Sequence, residues 1–173
     1  PVFKIRSKES CEIFAAKFWH NEIDLNDESH LNWLKSGVNG IIALDHPCIL
    51  KFQGFSPYDK HGSMKPVIVT EFAPGHSLGY QIDREIKSMA SPNWNETTKL
   101  ICIYGIAAGM KYLHSHGIIH RNLKPGNILL TEELFPKITD FDLSIQIHSN
   151  AENMTTDPGS SFAGTPPFCS PEI

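Results

Sequence analysis

One stretch of the sequence decides the fold, and it reads His120-Arg121-Asn122-Leu123-Lys124-Pro125-Gly126-Asn127-Ile128-Leu129-Leu130. Its apolar end predicts a short strand over residues 128–131, and a second short strand is predicted over 137–139. Upstream, the spacing of Asn93 and Glu96 is that of a helix-capping box, so a long helix is predicted from there to about His116. The apolar stripe of this helix consists of Leu100, Ile103, Ala107, Met110 and Leu113.

The first part of the chain is predicted to be rich in strands, which lie at residues 2–6, 12–18, 49–55 and 66–72. A helix is predicted after the polar cluster 26–29, because apolar residues then recur at helical spacing. Residues 144–161 are polar and have no period, which is typical of a mobile loop.

The composition changes from strand-rich to helix-rich at residues 73–77, which contain Pro and Gly and are followed by a polar helix over about 78–87. We therefore predict an N-terminal lobe over 1–72, a linker over 73–77 and a C-terminal lobe over 78–173.

The charge and composition exclude some classes of function. A formal net charge of -4 and a pI of about 6.1 argue against a nucleic-acid-binding protein, which is usually basic. No apolar run approaches the ~20 residues of a membrane helix, so we expect no membrane insertion. The cysteines are scattered without a CxxC pair, which suits the reducing cytoplasm.

The quoted stretch resembles the catalytic loop of eukaryotic protein kinases, H-R-D-L-K-P-x-N-I-L-L, and departs from it at position 122. Three further segments resemble V-A-I-K, K-I-x-D-F-G-L and G-T-P-x-Y-M-A-P-E, and they are residues 14–17, 137–143 and 164–172. The chain is thus similar to Ser/Thr kinases of the tyrosine-kinase-like branch, which implies a two-lobed α+β fold. Relative to that family, the glycine-rich loop before Val2 and the helices after the last motif are expected to be missing, so the domain is interpreted as truncated.

The resemblance implies that the cofactors are ATP and Mg²⁺. Lys17 would pair with the α and β phosphates, while Asn127 and Asp140 would supply oxygen ligands to Mg²⁺. The residues expected around the adenine are Val2, Ala15 and Leu129, with Thr70 before the hinge and the backbone of Glu71 and Ala73 at the adenine edge.

The resemblance also assigns roles outside the nucleotide site. Lys124 and Thr165 are the residues found at their positions in Ser/Thr kinases. A spine linking the lobes would stack His120, Phe141 and Ile41. Arg121 could clamp a phosphate on the loop that carries Thr155, Thr156, Ser160 and Ser161, although that cluster could equally be a solvated loop without a phosphosite.

Three departures from the family pattern fall on catalytic parts. Asn122 replaces the Asp that accepts the proton of the substrate hydroxyl, and a neutral amide cannot take that proton. Gly37 stands where the family has the acid that pairs with the strand lysine. Asp142 replaces the glycine after Asp140-Phe141 and brings a second carboxylate beside the metal ligand.

These departures favour a pseudokinase with residual ATP binding, acting on protein partners as a scaffold or switch. Two alternatives stay open, namely an active or weakly active kinase that transfers the ATP γ-phosphate to protein Ser/Thr, and a non-functional fragment.

Overall fold

In a computed structural model, the structure describes residues 1–19, 22, 27, 42–141, 144–146 and 165–169. The chain divides into two compact units. The first consists of Pro1–His46 with Leu50–Ala73, and the second of Pro47–Ile49 with Pro74–Ile173. A four-stranded sheet lies in the first unit and two described helices lie in the second, which confirms the predicted α+β class.

The sheet of the first unit is antiparallel throughout. Its strands are β1 (Val2–Arg6), β2 (Ile13–Phe18), β3 (Phe52–Ser56) and β4 (Val67–Glu71), in the order β1-β2-β4-β3. Ala16, at 1% exposure, is the most buried residue of this sheet, and Val67 and Ile68 are buried with it. The four strands predicted in this part of the chain are confirmed.

The third strand begins later than predicted. Ile49 belongs to the second unit, where it forms a parallel bridge with Ile138, so pairing within the first sheet starts only at Phe52. The helix predicted after residues 26–29, including Gly37 and Ile41, lies outside the described residues.

The helices of the second unit both begin at a polar cap. Helix α1 (Leu78–Ile86) is capped by Ser77, whose hydroxyl accepts a hydrogen bond from the Tyr80 amide. Helix α2 (Glu96–Ser115) is capped by Asn95, whose side chain accepts from the Thr98 amide at 3.1 Å. The predicted cap at Asn93 is therefore wrong by two residues, because the Asn93 carbonyl instead accepts the Thr98 hydroxyl.

The buried face of α2 differs from the predicted apolar stripe. Cys102, Gly105, Gly109 and Leu113 are the buried residues, whereas Leu100 and Ile103 are 65% and 66% exposed. A Cβ added at Gly105 would lie only 2.5 Å from Pro136 Cγ, so the two glycines let the helix backbone approach its neighbours closely. Leu113 of the predicted stripe is buried, so that part of the prediction is confirmed. The prediction is wrong for Leu100 and Ile103, because part of the contact is made by glycines, which a count of apolar side chains cannot detect.

The second unit also contains four short strands. They are β5 (Ile118–Ile119), β6 (Ile128–Leu130), β7 (Pro136–Ile138) and β8 (Ile145–Gln146), and β6 pairs with β7 while β5 pairs with β8. The strands predicted over 128–131 and 137–139 are confirmed. The loop predicted over 144–161 instead begins with β8, and residues 147–161 lie outside the described residues. None of the described helices is long and apolar enough to cross a membrane.

We predict that Gly105→Ala destabilises the second unit by about 1–3 kcal/mol, because its methyl group would press on Pro136 and Cys48. The usual effect of Gly→Ala inside a helix is the opposite, a gain of up to about 1 kcal/mol. Urea unfolding of the wild type and the variant measures the difference. Gly54→Ala is the control, since nothing lies within 4 Å of an added Cβ there. A Gly105→Ala variant as stable as the wild type would contradict the close approach of α2.

Candidate functional site

Four of the residues expected at the nucleotide lie on one face of the first sheet. Val2 pairs with Lys17 across β1 and β2, and Ala15 pairs with Thr70 across β2 and β4. Directly opposed residues share a face, and so do Ala15 and Lys17, which are two positions apart on one strand. The structure therefore brings these four positions together.

Lys17 has an aromatic neighbour that sequence reasoning missed. Its ammonium lies 5.2 Å from the centroid of the Trp19 ring, within the range of a cation–π attraction. None of the kinase-like motifs includes Trp19. Its place two residues after Lys17 in extended chain was the available signal, because such residues project to the same side.

Glu71 is fixed in a reciprocal pair with Lys51. The Lys51 amide donates to Glu71 Oε1 at 2.8 Å, and the Glu71 amide donates to the Lys51 carbonyl at 2.9 Å. The Thr70 hydroxyl donates to the Glu71 carbonyl at 3.1 Å. Ala73 is the last residue of the first unit. The side chain of Glu71 thus has a structural role, and any adenine contact here would fall to the backbone.

In the second unit, the chain after Ala73 runs along strand β6. The Gly75 amide donates to the Leu130 carbonyl, and the Leu130 amide donates to the His76 carbonyl, both at 2.8 Å. Ser77 forms a bridge with Leu129. A Cβ at Gly75 would lie 2.2 Å from the Thr131 carbonyl oxygen, so only glycine fits this close backbone approach. This contact positions Leu129 beside the linker.

His120 is the buried centre of the quoted loop, at 1% exposure. Its Nε2 lies 2.9 Å from the Thr139 carbonyl, and its Nδ1 lies 3.2 Å from the Asn122 amide. A carbonyl only accepts and an amide N–H only donates, so the ring is neutral with its proton on Nε2. Burial lowers the pKa of His120, which agrees with a neutral ring. The ring packs against Phe141 with centroids 5.2 Å apart.

The side chain of Asn122 bridges two groups, a role that sequence reasoning missed. Asn122 is buried, its Nδ2 donates to Asp140 Oδ2 at 3.1 Å, and its Oδ1 accepts from the Thr165 hydroxyl at 3.0 Å. Lys124 Nζ donates to the same hydroxyl at 2.9 Å. We call this chain of contacts from Lys124 through Thr165 and Asn122 to Asp140 the polar relay. Sequence reasoning saw only the loss of a base at position 122.

Asn127 converges on the same carboxylate. Its Nδ2 donates to Asp140 Oδ2 at 3.1 Å and to the Asn122 carbonyl at 2.9 Å. Asp140 has a φ of 69°, a left-handed conformation that Asp tolerates better than most residues and that turns the chain after β7. The two predicted metal ligands are therefore adjacent in the structure.

The residues at Asp140 fit Mg²⁺ in kind, because carboxylate and amide oxygens are the ligands that this hard cation prefers. Among the described residues, no group of three or more His, Cys, Asp and Glu side chains could hold a metal ion. Among the residues that the structure describes, Asn127 is the one beside Asp140 that could add an amide oxygen to a cation there. Asp142 and Gly37, the other two departures from the family pattern, lie outside the described residues.

The family model that matches this chain and three of the relatives that match it are described as protein kinases. The family model described as protein kinase domain matches residues 1–173. Serine/threonine-protein kinase AtPK1/AtPK6 of Arabidopsis thaliana is 26% identical, over 99% of this chain and 33% of its own length. Serine/threonine-protein kinase 10 of Mus musculus is 31% identical, over 99% of this chain and 16% of its own. Serine/threonine-protein kinase polo of Drosophila melanogaster is 35% identical, over 99% of this chain and 27% of its own length. The chain thus spans a third or less of each of these relatives.

We predict that the chain loses stability as the pH falls through the ordinary histidine pKa of about 6.5. Because the pKa of His120 is lowered by burial, the unfolded chain binds its proton at a higher pH than the folded chain. The stability is therefore full above about pH 6.5 and declines below it, by at most about 1.4 kcal/mol per pH unit for this one group.

Urea unfolding at about pH 7.5 and pH 5.5 measures this loss of stability. His120→Gln should show a smaller loss between the two pH values than the wild type. Equal losses in the wild type and His120→Gln would contradict the assignment.

Proposed function

Because the chain belongs to the protein kinase family, we propose that it is a pseudokinase that binds ATP weakly and acts on protein partners as a scaffold or switch. The observation that carries this proposal is the amide of Asn122 within the polar relay. Both ends of that amide are engaged, by Thr165 and by Asp140. We further propose that the domain is a degenerate member of the tyrosine-kinase-like branch, whose motifs its own resemble.

The chemistry at position 122 is the reason for expecting little phosphoryl transfer. A general base in a positioned site contributes about 10²–10⁴-fold to rate, and a neutral amide cannot supply it. The Asn122 oxygen already accepts the Thr165 hydrogen, so it offers no basic group to a substrate hydroxyl. The sequence adds Gly37 in place of the acid that pairs with Lys17 and Asp142 in place of glycine.

The retained residues support nucleotide binding. Lys17 would pair with the phosphates, Val2, Ala15 and Thr70 share its sheet face, and Asp140 and Asn127 would hold Mg²⁺. Mg²⁺ when bound would neutralise phosphate charge. Lys124 and Thr165, the pair typical of Ser/Thr kinases, are hydrogen-bonded, so any residual transfer is expected on Ser or Thr.

The partners that we propose are proteins, as for the relatives that are named as protein kinases. The net charge of -4 argues against nucleic acid as a partner. The cytoplasm is the compartment that we propose, because all four cysteines are free thiols.

We predict that the chain binds ATP·Mg²⁺ with a Kd no tighter than tens of micromolar, near -6 to -7 kcal/mol. The binding residues remain, but the sequence has Gly37 at the position where the family pattern has an acid, and Asp142 at the position where it has a glycine. Isothermal titration calorimetry measures this Kd, and Lys17→Met should weaken it about tenfold or more. Lys8→Met, in the exposed turn between β1 and β2, is the control and should change little. A sub-micromolar Kd would contradict the weakened site, and no heat at millimolar ATP would contradict nucleotide binding altogether.

We predict that Asn122→Asp alone does not restore robust phosphoryl transfer. The new carboxylate would stand where an amide now donates to Asp140 at 3.1 Å. Two unit charges at that separation repel by about 5 kcal/mol at an effective dielectric constant of about 20. Radiolabelled phosphate transfer to a general protein substrate should stay far below the ~1 per second typical of kinases. Asn122→Ala provides the blank, and turnover near 1 per second in Asn122→Asp would contradict the argument that Gly37 and Asp142 also impair transfer.

A further inference from the structure

We propose that the Asn122 side chain competes with divalent cations for Asp140, so that the chain binds ATP nearly as well without Mg²⁺ as with it. The effect on ATP rests on the proposed nucleotide binding. The competition itself does not, because it concerns only the chain and the cation.

The first step is the occupancy of one oxygen atom. Asp140 Oδ2 accepts an N–H from Asn122 and another from Asn127, each at 3.1 Å. A carboxylate oxygen has two lone pairs, so these two donors use the accepting capacity of Oδ2. A cation that takes Oδ2 must therefore displace at least one of the two amides.

The second step is that Asn122 is held in the donating orientation. Its Oδ1 accepts from Thr165, and Thr165 in turn accepts from Lys124. Its backbone amide is held by His120 Nδ1, and the residue is buried. Lys124 can only donate and Asp140 can only accept, so the amide is satisfied in one orientation alone. A cation that displaces the Asn122 amide breaks its hydrogen bond to the charged Asp140, and this loss lowers the affinity of Asp140 for the cation by roughly tenfold or more.

The third step is that Asn127 and Asn122 respond differently to a cation at Asp140. Asn127 carries an amide oxygen that can ligate a cation once its side chain turns, so its displacement is compensated. Asn122 is tied to Thr165 and cannot turn without breaking the polar relay. The residue type at position 122 therefore sets the affinity of this site for cations.

Mn²⁺ alone is the probe for the competition, with free Mn²⁺ followed by electron paramagnetic resonance. We expect Asn122→Ala to bind Mn²⁺ about tenfold more tightly than the wild type, because it removes the competing donor without adding charge. Asn122→Asp should bind more tightly still, because it also adds an oxygen ligand. Asp140→Asn should abolish the gain in either background. Asn95→Ala, which removes an amide of equal size at the start of α2, should match the wild type. If Asn122→Ala binds Mn²⁺ no better than the wild type, the competition does not exist.

The wild-type chain provides a second test that needs no variant. We expect its ATP affinity to differ by less than about threefold between EDTA and millimolar Mg²⁺. A tenfold tightening with Mg²⁺ would overturn the inference while leaving weak nucleotide binding intact. If ATP fails to bind in both buffers, the proposed function fails, and the Mn²⁺ comparison still decides whether Asn122 competes with cations.

Discussion

The second unit depends on one buried ring, that of His120, which lies between the Thr139 carbonyl and the Asn122 amide. Water cannot replace either hydrogen bond, because the ring is 1% exposed, so the loss of one partner would leave a buried polar atom unsatisfied. The ring thereby holds the backbone at 122 next to the end of β7. Every contact of Asp140 with Asn122 and Asn127 follows from that placement. His120 therefore positions the site, although none of the hydrogen bonds described above joins its ring to the Asp140 carboxylate.

A second constraint acts from the side of α2. Gly105 and Gly109 let the helix backbone lie against Pro136, Cys48 and Ile138 with almost no space between them. Ile138 is fully buried, and its amide donates to the Cys48 carbonyl at 2.8 Å. The strand that leads into Asp140 is therefore positioned on one side by α2 and on the other by its pairing with β6. A rigid strand end is what a precisely placed carboxylate requires.

The sequence predicted the elements of this fold better than their contacts. Strands and helices were found from periodicity and turn residues, because those signals are local. The buried face of α2 was not, since it consists partly of glycines, and a pattern of apolar side chains cannot reveal a contact made by backbone. The cap at Asn95 was missed because Asn93 has the same chemistry and a better-known spacing to an acid. Strand β8 was missed because its partner, Ile118–Ile119, is distant in sequence.

The same limit applies to the site. Motif spacing singled out Lys17, Asn122, Asn127 and Asp140, but a motif states which residue is present and not which atom it contacts. From the sequence, Asn122 indicated only the loss of a catalytic base. In the structure its amide donates one hydrogen bond and accepts another, and an aspartate could not make both because a carboxylate cannot donate. The contact of Trp19 with Lys17 was not predicted, because Trp19 lies outside the motifs and a single aromatic residue near a strand end most often packs. Both were visible only once the distances between side chains were known.

The polar relay also has an electrical consequence. It begins at an ammonium and ends at a carboxylate, and the hydroxyl and amide between them are uncharged, so its formal charge sums to zero. All its hydrogen bonds point the same way, and such aligned bonds polarise one another. The relay is therefore a dipole with its negative end at Asp140, and a dipole's field falls off faster with distance than that of a net charge. Its attraction for a cation is correspondingly short-ranged, so long-range steering of charged ligands to this chain must come from the rest of its surface.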